Sequence, residues 1–254
     1  MMKSDLVDRY KMVTVLMTAM FFLQSISAEA EEGKRMDQGG ELAAVIEGDY
    51  SLKEIQGWNV WVDHDLVKDA RWADCLRVLD GQLFEIKRRL PKEVVKEMQK
   101  VKIFFDLKQE VASCACYHPN KQWLLKNGYR PEKEKSVELN DPGKFLKWTI
   151  NQPCMILHEL AHAYHDQVLG FDHPKIIALY ESALKSGKYQ EARKVGGGRV
   201  KAHYAASNHK EYFAEAVEAY YGYNDFYPYV YQELLDYDPE ICAYLKETWG
   251  KRAN

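Results

Sequence analysis

No apolar run in this 254-residue chain approaches the roughly 20 residues that a membrane-spanning helix needs. Nor is there an excess of either charge. With 35 Lys and Arg against 38 Asp and Glu, the formal charge is −3, and neither a basic face nor an acidic tail stands out. That removes the electrostatic footprint of a nucleic-acid-binding protein. Cysteines are few and odd in number: Cys75, Cys114, Cys116, Cys154 and Cys242 form no disulfide framework, although one or two bridges remain open. Cys114-Ala115-Cys116, with His118 nearby, lacks the C-x₂₋₄-C spacing and the second pair of a zinc knuckle. Internal repeats and low-complexity tracts are absent as well. What the chain does have is apolar and aromatic material, 13% of it Phe, Trp and Tyr, enough to build a core in one α+β domain.

At the N-terminus, Lys3, Arg9 and Lys11 precede "MVTVLMTAMFFL" (12–23), and "QSISAEA" then offers small residues near Ala28 and Ala30. This pattern predicts a signal peptide over 1–28, with a retained anchor as the alternative. A polar, glycine-containing lead-in over 29–48 follows, then a domain over 49–254. Export to a secreted or periplasmic location is the expectation, with no stable membrane span in the mature chain.

Periodicity places strands at 58–63, 101–107 and 135–140, and helices at 65–90 and 92–100. The segment between the second and third strands, with its cysteines, reads as a loop, and Asp141-Pro142-Gly143 ends the third strand. Beyond it the chain turns helical. A helix is expected over 153–169, opened by Pro153 and stopped by Gly170, and another over 174–186 before Gly187. A glycine hairpin follows at 192–205, then a helix at 208–222 capped by Asn208, and two helical stretches near 228–236 and 239–249. Strands first and helices later indicate a small mixed sheet with a mainly helical C-terminal part.

The stretch "MILHELAHAYHDQ" (155–167) carries the chemistry. Leu157, Leu160, Ala161, Tyr164 and Val168 form an apolar stripe for the core. His158 and His162, four apart, share the adjoining face and reach one ion. Glu159 lies about 100° round the helix, placed to address a metal-bound water. This is the H-E-x-x-H pattern, and the ion it suits is one Zn²⁺ per chain. His165 sits about 10.5 Å along the axis from His158, too far to close the same tetrahedron, so it reads as a neighbouring or surface residue. The longer spacing that ends in a third histidine also fails, because Val168 stands where that histidine belongs.

A distant ligand is therefore needed. "NHKEYFAEAVEAY" (208–220) offers His209, Glu211, Glu215 and Glu218. Glu211 and Glu215 share a face, so one can ligate while the other accepts a hydrogen bond from a ligand imidazole. An Asn208–Glu211 capping box on an ordinary acidic helix is the alternative.

"HELAH" followed by "Y-x₆-EYFAEA" resembles the peptidase domain of anthrax lethal factor and its relatives, within the H-E-x-x-H peptidases whose third ligand is a glutamate. The resemblance implies a zincin-like α+β fold with His158, His162 and Glu211 holding zinc. It further implies Glu159 as the base, Glu215 as a carboxylate behind the ligands, and Tyr204, seven residues before Glu211, as a donor to the oxyanion. Its specific motifs cover 155–226. The chain departs from that family at Leu160 and Ala161 and has no counterpart of its other domains, so a toxin role is not implied. The expectation is a secreted zinc endopeptidase acting on a protein or peptide, with "KSVELN" (135–140) as the sheet edge that receives it. An exopeptidase or other zinc hydrolase, or a zinc-stabilised binding domain, are the rival readings.

Overall fold

The computed structural model describes residues 48–108 and 114–251, all within one compact unit. The signal peptide and lead-in expected at 1–28 and 29–48 lie outside the described residues, apart from Gly48.

The structure is a mixed α+β fold. Its first sheet contains β1 (Tyr50–Ile55), β2 (Trp58–Asp63), β3 (Ile103–Asp106), β4 (Ala115–His118) and β5 (Ser136–Asn140), in the order β1-β2-β3-β5-β4. β1 and β2 form a hairpin turned by Gln56 and Gly57, both at positive φ (55° and 92°), as a two-residue turn with the twist of the strands requires. β2, β3 and β5 run parallel, and β4 returns antiparallel to β5 with Cys116 opposite Glu138. A two-stranded ribbon, β6 (Ala192–Arg193) and β7 (Arg199–Val200), stands apart from this sheet.

Two expectations are corrected here. "KSVELN" is not a sheet edge: β5 is hydrogen-bonded on both sides, and all five of its residues are buried. The edge on that side of the sheet is β4, which lies in the segment read as a cysteine loop. Four residues of mixed polarity carry too little periodicity to announce a strand. Asp141-Pro142-Gly143 both ends β5 and starts a helix, with Asp141 Oδ1 accepting from the N–H groups of Gly143 and Lys144 at 3.1 Å each.

The helices are α1 (His64–Lys68), α2 (Trp72–Arg89), α3 (Lys92–Met98), α4 (Lys121–Lys126), α5 (Pro142–Asn151), α6 (Met155–Tyr164), α7 (Pro174–Lys185), α8 (His209–Tyr221), α9 (Tyr231–Tyr237) and α10 (Pro239–Thr248). Alternation along the strands separates two faces. Val60, Val62, Ile103, Phe105, Val137 and Leu139 pack against the helices in the main core. Each such fully buried side chain contributes about 1.5–3 kcal/mol. Phe104, Tyr50 and Trp61 pack together on the opposite face.

That opposite face also buries charge. Lys133 Nζ donates to Asp106 and Glu138 at 2.7 Å each, Tyr50 O–H donates to Asp106 at 2.6 Å, and His118 Nε2 lies 2.5 Å from Glu138. Burial pushes the Asp106 carboxyl up to about 6 despite Lys133. Burial also opposes charge on Glu138, but His118 and Lys133 outweigh it and bring that carboxyl down to about 2. His118 is thus committed to Glu138, and all five cysteines are free. Cys114 and Cys116 do not join a metal-ligand group with His118 among the described residues.

Candidate metal centre

α6 and α8 build the site. α6 opens two residues after Pro153, is anchored by Ile156 N–H donating to Gln82 Oε1 at 3.1 Å, and continues as a π turn over His165–Leu169. Gly170, at φ 84°, stops it. α8 is capped by Asn208, whose Oδ1 accepts from Lys210 and Glu211 N–H at 2.9 and 3.1 Å. Every residue of α8 from Glu211 to Tyr221 is buried, so this helix has no solvent-facing side. Gly222 at its end is demanded by packing: a Cβ there would collide with Cys154 Sγ, just before α6. Tyr223 N–H donates to the same sulfur at 3.2 Å, fastening the two helix ends together.

This crossing brings three donors from distant parts of the chain into one triangle. Glu211 Oε2 lies 3.1 Å from both His158 Nε2 and His162 Nε2, and the two ring nitrogens are 3.0 Å apart. The side chains are 12%, 12% and 8% exposed for His158, His162 and Glu211, so the triangle is buried but reachable. Donors around a tetrahedral ion with bonds of 2.0–2.1 Å are separated by roughly 3.3 Å. The triangle fits such an ion after a shift of a few tenths of an ångström per edge. These are buried groups that could hold a metal ion.

Without an ion, the same three groups are tied together by charge. Burial would raise the Glu211 carboxyl, but the His162 and His158 rings outweigh it and hold it well below the carboxylate range. Burial opposes charge on His158, yet bonds to Glu211 and Glu218 hold its pKa well above that of an ordinary imidazole. Behind the triangle, His158 Nδ1 lies 2.6 Å from Glu218 Oε1, a charge-assisted bond that turns Nε2 towards the centre. Burial pushes the Glu218 carboxyl up to about 7, with the His158 bond opposing it.

Glu215 is the residue the resemblance places behind the ligands. Its Oε1 is 3.7 Å from His158 Nδ1 and its Oε2 is 3.7 Å from His203 Nδ1, both beyond hydrogen-bond range. The ligand imidazole is therefore held by Glu218. Both glutamates share the face of Glu211, three or four residues apart along α8. Only the crossing of the two helices decides which meets the ring. Burial, then Glu218 and Asp225, push the Glu215 carboxyl well above its ordinary range.

Glu159 is half-buried beside the triangle, and its Oε2 accepts from the Tyr117 N–H of β4 at 2.8 Å. The edge strand thus holds this carboxylate, a contact that sequence reasoning had no means to find once β4 was read as loop. Tyr204 is not on a strand: β7 ends at Val200, and Tyr204 opens a 3₁₀ turn over Tyr204–Ala206. Its ring centroid is 6.2 Å from that of His158. Burial, then Glu211 and Glu159, raise its hydroxyl pKa far above 10, so it stays a proton donor. The preceding His203 is buried and turned inward, its Nδ1 accepting from Ala205 N–H at 3.0 Å.

His165, read as a neighbouring or surface residue, is fully buried between Phe171, Phe213 and His209. Its two ring nitrogens have no partner, and burial, then His162, bring its pKa down to about 2. It contributes a neutral wall rather than a ligand.

Comparison with protein-family models, with curated proteins and with solved structures finds no match for this chain.

Proposed function

We propose that the chain is an exported zinc-dependent endopeptidase of the zincin-like, lethal-factor-related kind. The observation that carries this reading is the convergence of His158, His162 and Glu211 on one point, with Glu159 of the same helix held by a hydrogen bond from the edge strand β4.

A zinc ion held by His158, His162 and Glu211 would polarise the scissile carbonyl and acidify a water. Glu159 is placed as the general base and acid, which would take a proton from the attacking water and return it to the leaving amine, a role worth about 10²–10⁴ in rate. The Tyr204 hydroxyl donates to the oxyanion that develops on the carbonyl. Glu218 keeps the His158 ring in the tautomer and orientation that ligation needs. β4 is an edge strand of the described sheet, beside which an extended substrate can lie, and its Tyr117 N–H ties the base to that edge. A structural zinc would want a fourth protein ligand. Among the described residues the group of His158, His162 and Glu211 stops at three donors, and His118 is paired with Glu138.

The test is digestion of a broad mixture of unfolded proteins by the zinc-loaded protein, read by mass spectrometry, with Glu159→Gln alongside. New internal termini with the wild type alone are expected. Cleavage confined to chain ends would favour an exopeptidase. Equal cleavage by both proteins, or none by either, would remove the endopeptidase reading.

A further inference from the structure

The ribbon β6–β7 is basic in a chain that is not. Residues 185–201 hold six Lys and Arg against one acid, Glu191, while the whole chain carries −3, so the remainder is net acidic. The tip is three consecutive glycines, Gly196, Gly197 and Gly198, all at positive φ between 84° and 98°. No side chain there shields the charges that flank it. Arg193 and Arg199 are register partners across the ribbon, which puts two exposed guanidinium groups on one face. Like charges opposite one another are unfavourable unless an anion lies between them. Arg199 has Glu191 at 3.1 Å, a pair so exposed (64% and 69%) that it contributes little and is readily exchanged. Arg193 has no ion pair among the described residues.

The ribbon is also fixed beside the metal centre. Val195 N–H donates to Asp225 O at 2.8 Å and Tyr227 N–H to Arg193 O at 2.9 Å, so β6 is clamped to the segment that follows α8. Exposed Lys201 is three residues from Tyr204, hence at most about 11 Å away along the chain. An extended peptide rises about 3.3 Å per residue, so a side chain three or so positions from the scissile bond spans the distance to Lys201, the cation next to the ribbon.

We propose that the ribbon, through Arg193, Arg199 and Lys201, is a docking surface for an acidic segment of the protein substrate. This names a substrate class for the proposed endopeptidase and rests on that reading. One carboxylate between Arg193 and Arg199 receives charge-assisted, forked hydrogen bonds and relieves their mutual repulsion. A short acidic peptide suits this patch better than a nucleic acid or an anionic membrane. Those extended polyanions gain affinity from many cations in a row, and the ribbon and its flank offer only a short run of them.

The experiment uses the full chain with Glu159→Gln, so that bound peptide survives, and a fluorescein-labelled oligoglutamate read by anisotropy. Binding is expected that weakens with salt, is absent for oligoglutamine, and falls at least tenfold in Arg193→Gln/Arg199→Gln, with the melting temperature confirming the fold. Equal binding of the two peptides, or no loss in the double variant, would overturn the proposal. So would displacement of the peptide by single-stranded DNA or anionic vesicles at lower concentration. Cleavage-site mapping with zinc-loaded wild type separates the two claims. Cuts without acidic enrichment sink the docking surface and leave the peptidase, whereas oligoglutamate binding without any cuts keeps the surface and sinks the peptidase.

Discussion

Two clusters of buried carboxylates and imidazoles flank the sheet. On one face Asp106 and Glu138 are buried with Lys133 between them, Tyr50 and His118 completing the set at 2.5–2.7 Å. On the helical face Glu211, Glu215 and Glu218 are buried, and their ion-pair partners among the described residues are histidines alone. The first cluster carries its own cation and is closed. In the second, three donors point at one spot and Glu215 Oε2 has no hydrogen-bond partner. Burying charge is tolerated only when it is compensated. The difference sets a cluster that compensates its own charge against one whose three donors could hold a metal ion.

Substitutions that open the closed cluster or disable the open one sharpen this contrast. The largest effect belongs to Glu159→Gln, which should lower peptide cleavage by about 10²–10⁴ while leaving zinc binding and the melting temperature close to wild type. A matching loss of zinc would mean that Glu159 is a ligand. Lys133→Met should behave in the opposite way, costing about 3–5 kcal/mol of stability by stranding two buried acids, read by urea denaturation. Its pH dependence has a definite sign. Asp106 already has a raised pKa of about 6, so the native state binds its proton more tightly than the unfolded chain does. Without Lys133 that preference grows, and the variant should regain stability as pH falls from 8 to 5. A deficit that stays constant over this range would show that Lys133 acts by packing alone.

Tyr204→Phe should keep its fold and its metal but turn over about 10²–10³-fold more slowly, with the loss in kcat rather than KM. Unchanged kcat would return Tyr204 to the role of a wall residue. A smaller effect is expected of Glu218→Gln, which should weaken zinc affinity about 10–100-fold. Glu215→Gln should weaken it less, since its oxygens lie 3.7 Å from the nearest ring nitrogens. The reverse order would restore Glu215 to the position the sequence resemblance implies.

The open cluster was partly legible in the sequence because its nearest residues are related by helical arithmetic. His158, Glu159 and His162 lie within one turn and a half, so their mutual placement follows from 3.6 residues per turn. Glu211 became legible only through a resemblance to a known motif, and the choice between Glu215 and Glu218 was not legible at all. That choice depends on how α6 crosses α8, which Gly222 against Cys154 helps to set. The closed cluster was invisible for a related reason. Glu138 in β5 and Lys133 in the turn before it look like solvated charges until the fold buries both. The edge strand failed on length: Ala115–His118 is four residues, and its place beside β5 is a matter of topology that local pattern does not encode.

The most direct measurement is a zinc titration of metal-stripped protein by calorimetry, with His158→Ala/His162→Ala and Lys133→Met in parallel. One zinc per chain is expected for the wild type and for any folded Lys133→Met, and none at comparable affinity for the double histidine variant. Wild-type protein that takes up no zinc, or zinc retained after both histidines are gone, would contradict the assignment of the open cluster as a metal centre.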